Sequence, residues 1–174
     1  DWNQSSQNDR MTALAAKGFN AFSVYPADVS GANGLYEELT GKGIHIANFG
    51  TSTAEPTTAS FAVATDVKAA AMAATEELIK AMGGKGNIIN VLEVLEDPNT
   101  ALRKQGIEEV VAKYPDVKII QEVAGMKSVE EATQKVGDAL SANSDKVDGI
   151  IAAGYTPSVA IAQVLTEYKS RDGA

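Results

Sequence analysis

Short apolar runs alternate with helical stretches along almost the whole chain, and that pattern restricts the fold more than any other feature. The apolar runs are Asn20–Tyr25 (NAFSVY), Ile44–Phe49 (IHIANF), Phe61–Ala64, Ile88–Leu95 (IINVLEVL), Val117–Val123 and Val147–Ala153. Between and around them, residues 4–17, 30–41, 67–82, 99–114, 128–142 and 157–170 read as helices. Parallel neighbours in a sheet need a crossover, usually a helix, so this alternation predicts an α/β fold on parallel sheets. The punctuation agrees. Pro26 stops the first run, Asp66 is a natural N-cap for 67–82, Gly83-Gly84 ends that helix, and Tyr114-Pro115 ends 99–114. The stretch from Gly50 to Ser60 (GTSTAEPTTAS) has no period and reads as a crossing segment.

Composition narrows the chemistry. Apolar residues make up 44% of the 174, enough for a core without cross-links, and there is no cysteine. Disulfides, thiolate zinc sites and cysteine catalysis are therefore excluded. The formal charge of −8 comes with scattered acidic residues and no basic face, which argues against a nucleic-acid partner. No apolar run approaches the roughly 20 residues of a membrane span.

In open parallel sheets, ligands sit beyond the carboxyl ends of the strands. Here those ends are Tyr25-Pro26-Ala27-Asp28, Asn48-Phe49-Gly50-Thr51, Glu96-Asp97-Pro98-Asn99, Ala124-Gly125-Met126 and Gly154-Tyr155-Thr156. They carry amides, hydroxyls, carboxylates and aromatics. They carry no histidine, and the lone His45 lies inside a strand, where a packed or partly exposed position explains it. Gly83-Gly84-Lys85-Gly86 leads from helix to strand, the wrong order for a phosphate cradle, and reads as a helix cap and turn. No G-x-S-x-G elbow exists. Glu93, Glu96 and Asp97 form an acidic cluster without calcium-loop spacing, which loop and helix-start charge explains better than a metal does.

Arg103 stands out. It lies four before Ile107 and seven before Val110, extending at the first helical turn the stripe predicted from Leu102, Ile107, Val110, Val111 and Tyr114. A cation there opposes the helix dipole by about 0.3–1 kcal/mol. Either a ligand's hydroxyls or a salt bridge to Glu96 or Asp97 would offset that; the residues alone leave both open. Trp2, Tyr25, Phe49 and Tyr155 are aromatics beside strand ends, suited to cover the apolar faces of sugars or to pack in loops.

The run from Asn20 onward resembles the ribose-binding-protein type of periplasmic solute receptor. NAFSVYPAD resembles that family's strand ending in Pro-x-Asp. KGIHIANF resembles its next strand, with His45 where proline is usual. FAVATD before a long helix resembles its entry into the second lobe, and NTALRKQGI its R-x-x-G-F helix start, with Ile107 for the aromatic. Tyr114-Pro115-Asp116-Val117 and Val147-Asp148-Gly149-Ile150-Ile151 match its strand approaches.

The resemblance implies three-layer parallel-sheet lobes of the type I periplasmic binding protein fold, closing on a sugar or polyol in an interlobe cleft for ABC-type import. It places residues 1–52 in a partial first lobe, 53–59 in a hinge and 60–174 in most of a second lobe. Arg103 falls on the family's ligand-binding arginine, and Met126 near a position that is often aromatic. Gly154 falls where an asparagine often binds a hydroxyl, followed by Tyr155 in place of an acidic residue. Gly50 and Thr51 fall on a polar or charged pair. The candidate ligand-binding residues are Arg103, Met126, Tyr155, Asn48, Phe49, Thr51, Asp97 and Asn99. No catalytic residue, metal ligand or cofactor is predicted. The implied partners are the ligand and the importer's membrane subunits, and the implied location is periplasmic or extracellular. The effector-sensing core of a sugar-responsive repressor shares this fold; a doubly wound enzyme lacks nucleophile, base and phosphate loop here.

Further expectations concern the sheets and the ends. Strands near 61–64, 88–95, 117–123 and 147–153 are expected in one sheet, with 88–95 between 117–123 and 147–153. Residues 1–50 offer only two strands, a poor core. The sequence therefore reads as cut at both ends. Phe22 and Val24 are expected to be exposed, residues 1–52 to be completed by a neighbouring chain or segments outside the sequence, and sugar to bind weakly to this length alone.

Overall fold

The computed structural model describes residues 3–126 and 128–171. Trp2 lies outside them. The elements run α1 (Gln4–Ala16), β1 (Ala21–Val24), α2 (Asn33–Gly41), β2 (His45–Phe49), β3 (Ala62–Val63), α3 (Val67–Ala81), β4 (Gly86–Leu92), α4 (Pro98–Val111), β5 (Val117–Val123), α5 (Val129–Ala142), β6 (Gly149–Ala153) and α6 (Tyr155–Arg171). This is the expected α/β alternation, on parallel sheets. The chain divides into two compact units. One runs to Asp66 and adds Glu96–Asn99; the other takes Val67–Leu95 and the chain from Thr100 onward.

The first unit carries a sheet of order β1-β2-β3. Asn3 opens α1 by accepting the Ser6 N–H at 2.8 Å, an N-cap bond. Met11, Val24, Ala32, Tyr36, Leu39 and Ile46 form the core, with Phe22, Ala15 and Ile44 packed against it. One expectation is corrected here. Val24 is buried and Phe22 half-buried, because β1 turns these alternate side chains onto the core and leaves Ala21 and Ser23 outside.

The second unit carries a sheet of order β5-β4-β6. The strand near 88–95 does lie between the other two, as the right-handed crossovers require, so the topological switch falls between β4 and β6. Ile88 to Leu92 are all buried, because helices cover both faces of a central parallel strand. Ile89 and Val91 join Val136, Leu140 and Val164 on one face; Ile88 and Leu92 join Ile79, Ile107 and Val110 on the other. On α5, Ala132, Val136, Ala139 and Leu140 form the buried stripe at helical spacing, and Ser128 caps the helix through the Glu131 N–H at 3.2 Å.

Three differences from the sequence pattern bear on the strand ends. The run 61–64 belongs to the first sheet, not the second. Phe61, just before β3, supplies its carbonyl to the Asn48 N–H at 2.9 Å, and Val63 of β3 supplies its own to the Gly50 N–H at 2.8 Å, satisfying the open edge of β2. Both edges of β4 are already taken by β5 and β6. Secondly, β4 stops at Leu92 rather than Leu95, and Leu95 is 54% exposed. Thirdly, Glu96–Asn99 cluster with the first unit, for reasons given by the hydrogen bonds below.

Candidate functional site

The strand ends of the first unit gather a polar and aromatic cluster. Tyr25, just past β1, donates its hydroxyl to Asp97 Oδ1 at 3.1 Å. Asn99 donates its side-chain amide to Tyr25 Oη at 2.7 Å and to the Gly50 carbonyl at 2.9 Å. Asp97 also accepts the Asn99 N–H at 3.0 Å and opens α4, with Pro98 at the first helical position. The Tyr25 ring meets Phe49 edge to face at a centroid distance of 5.8 Å, and Phe49 remains 49% exposed. Gly50 has φ of +73°, and a Cβ there would run into the Tyr25 ring, so glycine fits both the turn and the contact.

Asn48 and Thr51 are placed differently. Asn48 is 2% exposed and takes part in a buried chain of hydrogen bonds. It accepts from the Tyr36 hydroxyl at 2.8 Å and donates to Thr53 Oγ1 at 3.1 Å, and Thr53 bonds Thr57 at 2.7 Å. Burial pushes the Tyr36 phenol up to about 12. Thr51 is 5% exposed.

The second unit presents another set. Arg103 is half-buried and has neither ion pair nor hydrogen bond among the described residues. Gly106, Ile107 and Val110 are buried while Leu102 is 40% exposed, so the inward stripe of α4 runs through Arg103 rather than Leu102. Met126 is 1% exposed and belongs to the core with Val123, Ala132 and Val136. Lys135 fixes the loop before it, donating to the Gly125 and Ala124 carbonyls at 3.2 and 3.3 Å. Tyr155, at the start of α6, is 77% exposed.

Glu93 is the residue that the sequence reading set aside. The first residue past β4, it accepts the Gly125 N–H on its carbonyl at 3.1 Å and the Thr156 N–H on Oε1 at 3.3 Å. A Cβ on Gly154 (φ +144°) would collide with its carboxylate. The apolar Val94-Leu95 makes the strand read three residues too long and hides Glu93 inside it. Among the described residues, no group of three or more metal-ligating side chains is assembled, and no helix is long and apolar enough to cross a membrane.

Comparison with known proteins places the chain in a family. The family model described as "Periplasmic binding protein domain" matches residues 1–173. A xylitol-binding protein of Mycolicibacterium smegmatis is 26% identical over 163 residues, covering 94% of this chain and 46% of its own length. A D-apiose import binding protein of Actinobacillus succinogenes is 28% identical over 86 residues, 49% of this chain and 27% of its own. The chain thus spans less than half the length of these relatives. Among solved structures, the Caulobacter myo-inositol binding protein bound to myo-inositol aligns with a TM-score of 0.86 at 19% identity, over 95% of this chain and 57% of that one. An ABC transporter periplasmic solute binding protein of Actinobacillus succinogenes with bound D-allose aligns at 0.84 and 22%, over 96% and 60%. At these identities the structural likeness establishes the fold.

Proposed function

This chain belongs to the periplasmic binding protein domain family, and from that premise we propose that it reversibly binds a neutral sugar or polyol and delivers it to an ABC-type importer. Each unit offers the groups at the carboxyl ends of its own strands. In the first these are Phe49, Asp97 and Asn99, with Tyr25 bracing them and Thr51 beside them. In the second they are Arg103 and Tyr155. Asn48 and Met126 act from behind, as buried supports. Xylitol, D-apiose, myo-inositol and D-allose, named for the relatives, are all uncharged molecules with adjacent hydroxyls, which suit amides, carboxylates and a guanidinium. The protein works outside the cytoplasm, docking on the importer's membrane subunits.

The observation that carries this reading is Arg103. A half-buried guanidinium without a protein partner keeps five donors in a fixed fork, set on the inward stripe of α4. The test uses the full-length protein, screened by thermal shift against xylitol, D-apiose, myo-inositol and D-allose, then titrated calorimetrically. Arg103→Ala should weaken binding by about 1.5–3 kcal/mol, the range for hydrogen bonds to a charged group, and leave the unliganded melting point nearly unchanged. Unchanged affinity with a large loss of stability would refute the role of Arg103. Turnover of a sugar phosphate would replace the receptor reading with an enzymatic one.

A further inference from the structure

We infer that Glu93 is a specificity-determining residue of this binding site: its carboxylate accepts hydroxyl hydrogens from a neutral polyol and excludes anionic analogues such as sugar acids. The inference rests on the proposed function and deepens it. Four observations within the second unit support it.

First, Glu93 stands immediately beyond the carboxyl end of β4, on the central strand beside the topological switch, where open parallel sheets bind ligands. Second, it is held rigidly from both sides. Its carbonyl takes the Gly125 N–H at 3.1 Å, from the loop after β5, and its Oε1 takes the Thr156 N–H at 3.3 Å, from the first turn of α6. Third, the chain makes room for it. Gly154 has φ of +144°, and a Cβ there would come within 3.0 Å of Glu93 Cδ and 3.1 Å of its Cβ. Any larger residue at 154 would displace the carboxylate. Fourth, the carboxylate is half-buried and has no cation partner among the described residues. Withdrawing a charge from water without pairing it is costly. The Thr156 N–H and the helix N-terminus offset part of that cost and use part of one oxygen's capacity, while an ionised carboxylate has about four acceptor sites.

Together with Arg103, the second unit therefore offers an acceptor and a donor array that form no ion pair with each other. A polyol's hydroxyls can give hydrogens to a carboxylate and receive them from a guanidinium. A sugar acid would satisfy Arg103 but meet repulsion at Glu93, which is how an unpaired charge selects against a wrong ligand.

The test uses full-length protein and isothermal titration with xylitol, D-allose and myo-inositol as neutral probes and D-xylonate as the anionic one. Glu93→Gln keeps the shape and the acceptor for Thr156. It should weaken the neutral ligand by about 10- to 100-fold, the range for losing a charged acceptor, and narrow the preference over D-xylonate by at least about tenfold, with the unliganded melting point held. Glu93→Asp keeps the charge but shortens the reach. It should lose affinity for the neutral ligand while still rejecting D-xylonate. A parent that binds a neutral probe, with Glu93→Gln matching it in affinity and selectivity, overturns the role of Glu93 alone. So does a Glu93→Gln variant that only melts earlier. A parent that binds none of the neutral probes overturns the polyol reading and this inference with it.

Discussion

Replacing Tyr36 by phenylalanine tests the buried polar chain that supports the first unit's strand ends. Tyr36 is fully buried on the inner face of α2, and its hydroxyl donates to Asn48 Oδ1 at 2.8 Å. Asn48 is itself 2% exposed, so solvent has little access to the oxygen left behind. Tyr36→Phe keeps the ring packing and removes one donor, and the expected loss is about 1–3 kcal/mol, the penalty for orphaning a buried acceptor. The assay is urea denaturation, where the midpoint should fall at constant slope. Alkaline pH gives a second readout. Burial raises the Tyr36 phenol from 10.0 to about 12. The unfolded chain therefore releases this proton first as pH rises. The stabilisation is fully present below pH 10.0 and is lost as pH climbs through about 12. A displacement of that size corresponds to about 3 kcal/mol. The phenylalanine variant has no such proton, so the gap between the two proteins should shrink across this window. A variant as stable as its parent at neutral pH, or a gap that stays constant through the alkaline range, would refute the reasoning.

Two further substitutions probe the packing around the sites. Gly50→Ala should destabilise by about 1–3 kcal/mol, because the residue holds a φ of +73° and its new methyl would meet the Tyr25 ring; a melting point equal to the parent's would contradict this. Asn90→Leu should leave stability unchanged or raise it by up to about 3 kcal/mol, because Asn90 is 0% exposed, lies between Ile88 and Leu92 on its face of β4, and has neither side-chain polar atom partnered. A clear loss in urea denaturation would show that its amide is hydrogen-bonded in solution.

The fold was legible because its signals are local and repeated. β4 and β6 announce themselves as apolar runs, and α5 by the spacing of Ala132, Val136 and Leu140. The order β5-β4-β6 followed from the handedness of crossovers. The sequence pattern points β3 to the wrong sheet because a two-residue strand carries almost no pattern of its own. Its place is set by which edge still needs hydrogen bonds, and no run of residues states that. The same applies to Glu96–Asn99, whose attachment depends on Asn99 meeting Tyr25 and Gly50, far away in sequence.

The candidate site was harder to read because residue type does not say which way a polar group faces or what it already serves. Asn48 and Asn99 are both amides at strand or helix ends, yet Asn48 is bonded inside the core to Tyr36 and Thr53, whereas Asn99 ties the start of α4 to Gly50. Glu93, Glu96 and Asp97 read as one acidic cluster in sequence. In the structure Asp97 serves Tyr25 and the start of α4 in the first unit, while Glu93 serves the start of α6 in the second. What separates them is the end of β4 at Leu92, which a continuing apolar pair, Val94-Leu95, conceals. Gly154 was the sequence signal that could have exposed the difference. A glycine directly after a buried strand, opening a helix without an acidic residue in its first turn, leaves both space and a positive helix end for a carboxylate from elsewhere. Glu93 is the carboxylate that fills it, so a residue with no side chain determines where the charge of another is held.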